Sequence, residues 1–99
     1  MDLQLKDKVI IVTGGAKGIG EGIVRVLANE EAIPVIIGRN EADNKKLQDE
    51  IEADGKKAFG VIAELTEPDE CKKAVDAVIA KFNRIDGVVN NAGVNDGVV

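Results

Sequence analysis

The sequence has no histidine, tryptophan, tyrosine or serine, a single cysteine (Cys71), and two phenylalanines among 99 residues. One cysteine cannot form an intrachain disulfide, and the absence of histidine argues against the usual zinc sites, so no metal site is predicted. No apolar run approaches the roughly 20 residues that a membrane-spanning helix needs. With 18 acidic against 13 basic residues and no basic run, nucleic-acid binding is not expected.

The remaining composition is that of a folded α/β domain, or of part of one. Hydrophobic residues make up 44% and charged residues 31% of the chain. With so few aromatic residues, the core must consist of Val, Ile, Leu and Ala, which is typical of parallel sheets covered by helices on both faces. Residues 1–7 carry acidic side chains and no apolar segment, so they do not resemble a signal peptide. We expect a cytoplasmic location.

Apolar patterns divide the chain into alternating strands and helices. Continuous β-branched or apolar runs predict buried strands at 8–13, 33–38, 58–63 and 86–90. Helical spacing predicts helices at 18–29, 41–54 and 66–82, and residues 91–99 are predicted to form a loop. This alternation indicates a parallel sheet with right-handed crossovers and helices on both faces.

Details of the helices can also be predicted. The first helix should bury Ile19, Ile23, Val26 and Leu27. The second is polar except for Leu47 and Ile51, and Gly55 suits its left-handed C-terminal position. The third should be capped by Thr66, with Pro68 in its first turn. Its predicted apolar face comprises Cys71, Ala74, Val75, Val78, Ile79 and Phe82.

A glycine cluster lies between the first strand and the first helix, within Thr13-Gly14-Gly15-Ala16-Lys17-Gly18-Ile19-Gly20. Glycine permits close backbone approach, and a helix N-terminus offers unpaired N–H groups to a phosphate. The cluster therefore predicts a dinucleotide-binding loop, with an ordinary strand–helix turn as the alternative. The spacing is neither G-x-G-x-x-G nor that of a P-loop.

Two motifs make the chain resemble the short-chain dehydrogenase/reductase family. The segment 13–20 is similar to T-G-x-x-x-G-x-G, and Asn90-Asn91-Ala92-Gly93 is similar to the family's N-N-A-G. The resemblance implies that residues 1–99 form the N-terminal half of a single NAD(P)-binding Rossmann domain. That fold is a truncated Rossmann-type parallel sheet in strand order 3-2-1-4.

The resemblance also implies a set of cofactor-binding residues. The glycine loop would contact the pyrophosphate and the nicotinamide ribose side. The N-N-A-G segment would line the adenosine side and brace the sheet. Glu64 would approach the adenine, in Glu-Leu-Thr where the family commonly has Asp-Leu-Thr. The full predicted set is Thr13, Gly14, Gly15, Lys17, Gly18, Ile19, Gly20, Arg39, Asn40, Glu64, Leu65, Asn91, Ala92 and Gly93.

The residues after the second strand favour NADP over NAD. An acid there would bond the ribose 2′-hydroxyl of NAD, but the chain has Gly38-Arg39-Asn40 and no acid before Glu41. In the family's geometry Lys17 and Arg39 converge on the adenine ribose, where two cations suit a 2′-phosphate. The alternatives are a solvated Lys17, and an Arg39 that is solvated or paired with Glu41 or Asp43.

The family's catalytic Ser, Tyr and Lys have no counterpart, because the chain contains neither Tyr nor Ser. No catalytic residue is therefore predicted, and the 99 residues are expected to be inactive as a truncated chain, a remnant or a half-domain. Residues 93–98 of the tail, together with segments 63–66 and 82–87, resemble L-fucose dehydrogenase-like members, which oxidise sugars. Asn95 and Asp96 would bond sugar hydroxyls, or form only a turn. A 3-oxoacyl carrier-protein reductase is the alternative parent.

Two further expectations concern stability and association. Glu31 stands where relatives usually have Gly, and a left-handed backbone there would cost about 1 kcal/mol. The edge of the fourth strand and the apolar faces beside it would be exposed, which favours a homo-oligomer. Two other readings of the chain are a non-catalytic half-Rossmann module that self-associates and a flavodoxin-like phosphate binder.

Overall fold

A computed structural model describes residues 4–14 and 16–91 of the chain. Strands and helices alternate as predicted, with small shifts at the boundaries. The elements are β1 (Val9–Thr13), α1 (Gly18–Asn29), β2 (Ile33–Gly38), α2 (Glu41–Ala53), β3 (Phe59–Ile62), α3 (Pro68–Phe82) and β4 (Gly87–Asn90). Within the described residues, no helix is both long and apolar enough to cross a membrane.

The four strands form one parallel sheet in the order β3-β2-β1-β4. Val12 of β1 lies opposite Ile36 of β2 on one side and Val89 of β4 on the other. The predicted Rossmann-type order is therefore confirmed. A flavodoxin-like sheet would place its first strand between the second and third, so this alternative is excluded.

The core occupies both faces of the sheet, as predicted. On one face, inward side chains of β1 and β2 pack against Ala74 and Val78 of α3. On the other, Val12 and Ile36 pack with residues of α1 and α2. Because β2 is covered on both faces, its apolar run is continuous rather than alternating.

The buried face of α1 is rotated relative to the predicted one. The helix buries Gly20, Val24 and Ala28. Ile19 and Val26 are 69% and 56% exposed, so their predicted burial was wrong, whereas Ile23 and Leu27 pack at the margin of the core. The reason is close approach, because a Cβ at Gly20 would overlap the carbonyl oxygen of Gly14. The face of α1 that includes Gly20 and Ala28 therefore lies against the sheet.

The predicted cap of α3 was also wrong. The helix begins at Pro68, and its N-cap is Glu67, whose side chain makes no capping hydrogen bond. Thr66 instead donates its hydroxyl to Oε1 of Glu64, 3.2 Å away, so it is directed back toward the preceding loop. Pro68 in the first turn is confirmed, and acidic residues follow it.

The apolar face of α3 is narrower than predicted. Ala74 and Val78 are buried, and Phe82 packs against the same cluster. Val75 and Ile79 are exposed, so their predicted burial was wrong. Among the described residues, the cluster on this face of the sheet contains no helix besides α3, so α3 buries a narrow stripe and its flanking positions stay in solvent.

Backbone geometry at two turns matches the sequence-based expectations. Glu31, between α1 and β2, has φ +66°, which is the left-handed conformation expected there. Gly55 follows the C-cap of α2 and has φ +78°.

Asp86 connects the beginnings of β1 and β4. Its Oδ2 accepts from the N–H of Val9 at 2.8 Å, and its own N–H donates to the Val9 carbonyl, also at 2.8 Å. Arg84 donates to Oδ1 at 2.7 Å. These hydrogen bonds, first from Arg84 and then from Val9, lower the pKa of the Asp86 carboxyl from its ordinary value.

Candidate functional site

The glycine loop turns the chain from β1 into α1. Gly14 and Gly18 both have positive φ, +65° and +57°, which side-chain-bearing residues rarely adopt. Lys17 is the N-cap of α1 in an extended conformation, and no described side chain caps the helix. The first-turn N–H groups and the positive end of the helix dipole therefore face outward from the loop, as anion binding requires.

Asn91 holds this loop against the end of β4. It is buried, its Nδ2 donates to the carbonyl oxygen of Gly14 at 3.3 Å, and its N–H donates to the hydroxyl of Thr13 at 2.9 Å. The Thr13 hydroxyl also lies 3.1 Å from Oδ1 of Asn90. Asn90, the last residue of β4, and Asn91, which follows it, thus hold the glycine loop in place although they lie far from it in the sequence.

A cavity of about 600 Å³ opens beside the loop, at the carboxyl ends of β1, β2 and β3. Ligands of open α/β sheets bind at this end of the strands. The predicted residues that line it are Gly14, Lys17, Arg39, Asn40, Glu64 and Leu65. The lining residues that were not predicted are Ala16, Gly38, Asp43, Asn44, Ala63 and Thr66.

Two cations face this cavity, and each is paired with an acid. Lys17 Nζ lies 3.1 Å from Oδ2 of Asp43, and Arg39 Nη1 lies 3.5 Å from Oε2 of Glu64. The alternative partners considered for Arg39 were therefore wrong, since it pairs with an acid from the loop after β3. Lys17 and Arg39 are 76% and 81% exposed, and such solvent-exposed pairs contribute little to stability. Both cations can exchange these carboxylates for another anion.

Glu64 is ionised at neutral pH and stands at the mouth of the cavity. The pKa of its carboxyl is lowered, first by the N–H and hydroxyl of Thr66 and to a smaller degree by Arg39. A carboxylate in this position accepts hydrogen bonds from an amino group or a hydroxyl of a ligand.

Three residues at the beginning of α2 complete the wall. Asn40 caps the helix, because its Oδ1 accepts from the N–H of Asp43 at 2.9 Å. Asn44 is buried in the row formed with Leu47 and Ile51. Asn44 was missed because polar residues of α2 were assumed to face solvent. Its spacing of three and seven residues from Leu47 and Ile51 was the available signal.

The remaining predicted site residues lie beside the cavity or outside the described part of the chain. Thr13, Gly18, Ile19, Gly20 and Asn91 belong to the loop or to its support, and none is among the residues that line the cavity. Gly15, Ala92 and Gly93, with Asn95 and Asp96 of the tail, lie outside the described residues. Contact of any of these residues with a cofactor stays a prediction.

A family model described as short chain dehydrogenase matches residues 8–99. This chain belongs to the short chain dehydrogenase family. The resemblance inferred from segments 13–20 and 90–93 is thereby confirmed. The site described above therefore belongs to a protein of this family. It consists of the glycine loop, the asparagines that hold the loop, and the cavity at the strand ends.

Several characterised members of the family are similar over nearly the whole chain. Sorbitol-6-phosphate 2-dehydrogenase of Klebsiella pneumoniae is 40% identical over 93 residues, covering 94% of this chain and 32% of that protein. L-fucose dehydrogenase of Bos taurus is 34% identical over 93 residues, covering 94% and 33%. The chain thus spans about a third of the length of these curated relatives.

Solved structures of related enzymes superpose on the same fold. L-sorbose reductase of Gluconobacter frateurii, complexed with NADPH and L-sorbose, aligns with a TM-score of 0.89 at 29% identity, over 94% of this chain and 36% of that one. An NADH-dependent reductase complexed with NAD aligns with a TM-score of 0.82 at 30% identity, over 91% and 38%. Both nicotinamide dinucleotides therefore occur among the structural relatives of this family member.

Proposed function

We propose that residues 1–99 are the dinucleotide-binding half of a Rossmann domain in an oxidoreductase that uses NADP(H) rather than NAD(H). The reaction is hydride transfer between the nicotinamide and an alcohol or carbonyl carbon, with a sugar such as L-fucose as the favoured substrate. The relatives named for sorbitol 6-phosphate, L-fucose and L-sorbose support a polyol or sugar.

The placement of Lys17 and Arg39 around one cavity carries the NADP assignment. The two come from different elements, the glycine loop and the end of β2, and both line the cavity. No acid stands at the end of β2 itself, where an NAD-binding domain would place one. A 2′-phosphate between the two cations would receive charge-assisted hydrogen bonds in exchange for Asp43 and Glu64.

Different residues of the chain would hold different parts of the nucleotide. The N-terminus of α1 and the backbone of Gly14 would hold the diphosphate. Lys17 and Arg39 would hold the 2′-phosphate, and Glu64 would accept a hydrogen bond from the adenosine. The nicotinamide, when bound, supplies the hydride or takes it up.

We propose further that the 99 residues bind the nucleotide without turning over substrate. The proton transfer that accompanies hydride transfer needs an acid or base at the substrate, and the family's Tyr and Ser are absent from the chain. We also propose that the protein works in the cytoplasm, a reducing compartment, because its single cysteine cannot form an intrachain disulfide.

Homo-oligomerisation through β4 is also part of the proposal. Among the described residues β4 pairs with β1 alone, and Val88 at its centre is 61% exposed. An apolar strand at the edge of a sheet favours pairing with a second copy.

Isothermal titration calorimetry of the chain with NADP and with NAD tests the cofactor assignment. We expect Arg39→Ala and Lys17→Ala each to weaken NADP binding about tenfold, because each removes a charge-assisted hydrogen bond. NAD binding should change much less, so the preference for NADP should shrink.

Lys45→Ala is the matched control, because Lys45 is an exposed lysine of α2 that pairs with Asp49 and does not line the cavity. It should leave both affinities unchanged. If the ratio of the dissociation constants for NADP and NAD is the same in Arg39→Ala as in the unsubstituted chain, the NADP assignment is overturned.

A further inference from the structure

Asn44 is a polar side chain on the buried face of α2. It is 3% exposed and shares this face with Leu47 and Ile51. A buried amide is costly unless it is hydrogen-bonded, and its Oδ1 has no hydrogen-bond partner among the described residues. The contribution of Asn44 therefore comes from its Nδ2.

The Nδ2 of Asn44 joins two neighbouring strands. It donates to the carbonyl oxygen of Gly38 at 3.2 Å and to that of Val61 at 3.3 Å. Gly38 is the last residue of β2, and Val61 is the third residue of β3. The Gly38 carbonyl also accepts from the N–H of Ala63 at 3.0 Å, so main chain and side chain meet at one oxygen.

The absence of a side chain at Gly38 makes this arrangement possible. A Cβ there would lie 3.2 Å from Oδ1 of Asn44, which is closer than most such contacts. The side chain of Asn44 therefore approaches the sheet closely where β2 ends. That is also the floor of the cavity, which Gly38 and Asn44 both line.

The two strand ends that Asn44 joins lead directly into Arg39 and Glu64. Arg39 follows Gly38, and Glu64 follows Ala63. Both residues line the cavity, and their charged groups form an ion pair with Nη1 and Oε2 3.5 Å apart. Arg39 is long and largely exposed, and Glu64 is partly exposed. The separation of their backbones therefore decides which ligand atoms the two side chains can reach together.

We propose that Asn44 is a positioning residue, whose Nδ2 holds the ends of β2 and β3 at the separation that lets the site prefer a 2′-phosphorylated dinucleotide over an unphosphorylated one. The inference rests on the proposed function and assigns its selectivity to a residue that touches neither phosphate. Loss of the two hydrogen bonds loosens the backbone that carries Arg39. The 2′-phosphate contact then weakens, while the diphosphate contact at α1 is retained.

Gln48 provides a matched control on the same helix face. It lies one turn after Asn44, its Oε1 accepts from the N–H of Gly60 in β3 at 3.0 Å, and it does not line the cavity. Asn44→Leu and Gln48→Leu each remove a side-chain amide that bonds the backbone of the sheet. Only the first of these amides bonds β2 and β3 together.

The experiment measures the dissociation constants of the full chain for NADP and for NAD by calorimetry, together with the thermal midpoint of each variant. We expect Asn44→Leu to reduce the NADP to NAD selectivity by about tenfold. Gln48→Leu should leave the ratio unchanged at a similar loss of thermal stability. Without ligand, amide exchange at Ala63 should accelerate in Asn44→Leu and not in Gln48→Leu.

Asn44→Ala removes the same Nδ2 donors and introduces a residue of high helix propensity. It replaces Asn44→Leu in the experiment if the leucine variant does not fold. An unchanged ratio in a folded Asn44 variant, with NADP still bound, overturns the positioning role and leaves the proposed function intact. An original chain that binds neither nucleotide overturns the proposed function and this inference with it.

Discussion

Asn91 and Gly14, 77 positions apart in the sequence, are joined by a hydrogen bond of 3.3 Å between a buried side-chain amide and a main-chain carbonyl. Gly20 of α1 packs directly on both partners, since a Cβ there would overlap the Gly14 carbonyl oxygen and lie 2.7 Å from Asn91 Nδ2. The loop, the helix and the strand end are therefore packed together beside the cavity.

Gly20→Ala should lower the free energy of unfolding by about 2 kcal/mol, because backbone and a buried amide must move to admit one methyl group. It should also weaken dinucleotide binding, since the loop is displaced. Chemical denaturation and calorimetry measure the two effects. Gly22→Ala is the control, because a Cβ there meets nothing within 4 Å. It should stabilise α1 by about 1 kcal/mol, and equal effects of the two variants would contradict the packing described here.

Replacing Glu31 by glycine should stabilise the chain. Its φ of +66° is strained for a residue with a side chain, and relief of that strain is worth about 1 kcal/mol. Glu30→Gly is the matched control, because the backbone there has φ −86° and gains nothing from glycine. In denaturant unfolding, the free energy of unfolding of Glu31→Gly should exceed that of the unsubstituted chain. That of Glu30→Gly should be equal to it or lower. The opposite order would refute the left-handed turn.

Stability at low pH should depend on Asp86. The folded state lowers the pKa of this carboxyl below its ordinary value of 3.8. Its contribution is therefore complete above that value, and it is lost as the pH falls through the lowered pKa. Unfolding curves between neutral pH and about pH 2.5 should show Asp86→Asn as less stable at neutral pH. The gap between the two proteins should close in acid. A gap independent of pH would show that the charge of Asp86 does not matter.

Association should depend on β4 and not on β3, although both are edge strands with an exposed apolar residue. Val88 is 61% and Ile62 is 51% exposed. On β3, however, the N–H of Gly60 already donates to Gln48 of α2, which covers that edge. Light scattering should find an oligomer that Val88→Lys dissociates and Ile62→Lys leaves intact, because a lysine on an edge strand opposes pairing. A monomer at all concentrations would rule out this association.

The order of elements was predictable because apolar continuity and glycine placement are local features of the sequence. The arrangement of the strands was predictable because the connections between them follow general rules of chirality. The run 33–38 is continuous because β2 is covered by helices on both faces. The left-handed conformation of Glu31 was expected because the residue stands where relatives usually have Gly. Periodicity alone could not reveal that α1 faces the sheet with Gly20, Val24 and Ala28, since close approach at the loop decides this rotation.

The residues that line the cavity, and the partners they pair with, were only partly predictable, because these also depend on contacts between different elements. Lys17 and Arg39, which were expected to converge on the adenine ribose, both line the cavity, and their contact with a cofactor stays a prediction. Their partners Asp43 and Glu64 come from other elements. Thr66 was expected to cap α3, yet a nearby carboxylate takes its hydroxyl hydrogen bond. Pairings of this kind depend on three-dimensional distances that spacing along the chain does not specify.

The most direct test of the account is a titration of the ¹⁵N-labelled chain with NADP, followed by amide resonances. Saturable shifts should be largest for Gly14, Lys17 and Gly18 in the loop and at the start of α1, with a second group around Arg39. α3, on the opposite face of the sheet, should change little. A titration that leaves the loop resonances unmoved, or that moves those of α3 instead, would contradict dinucleotide binding at the β1–α1 turn.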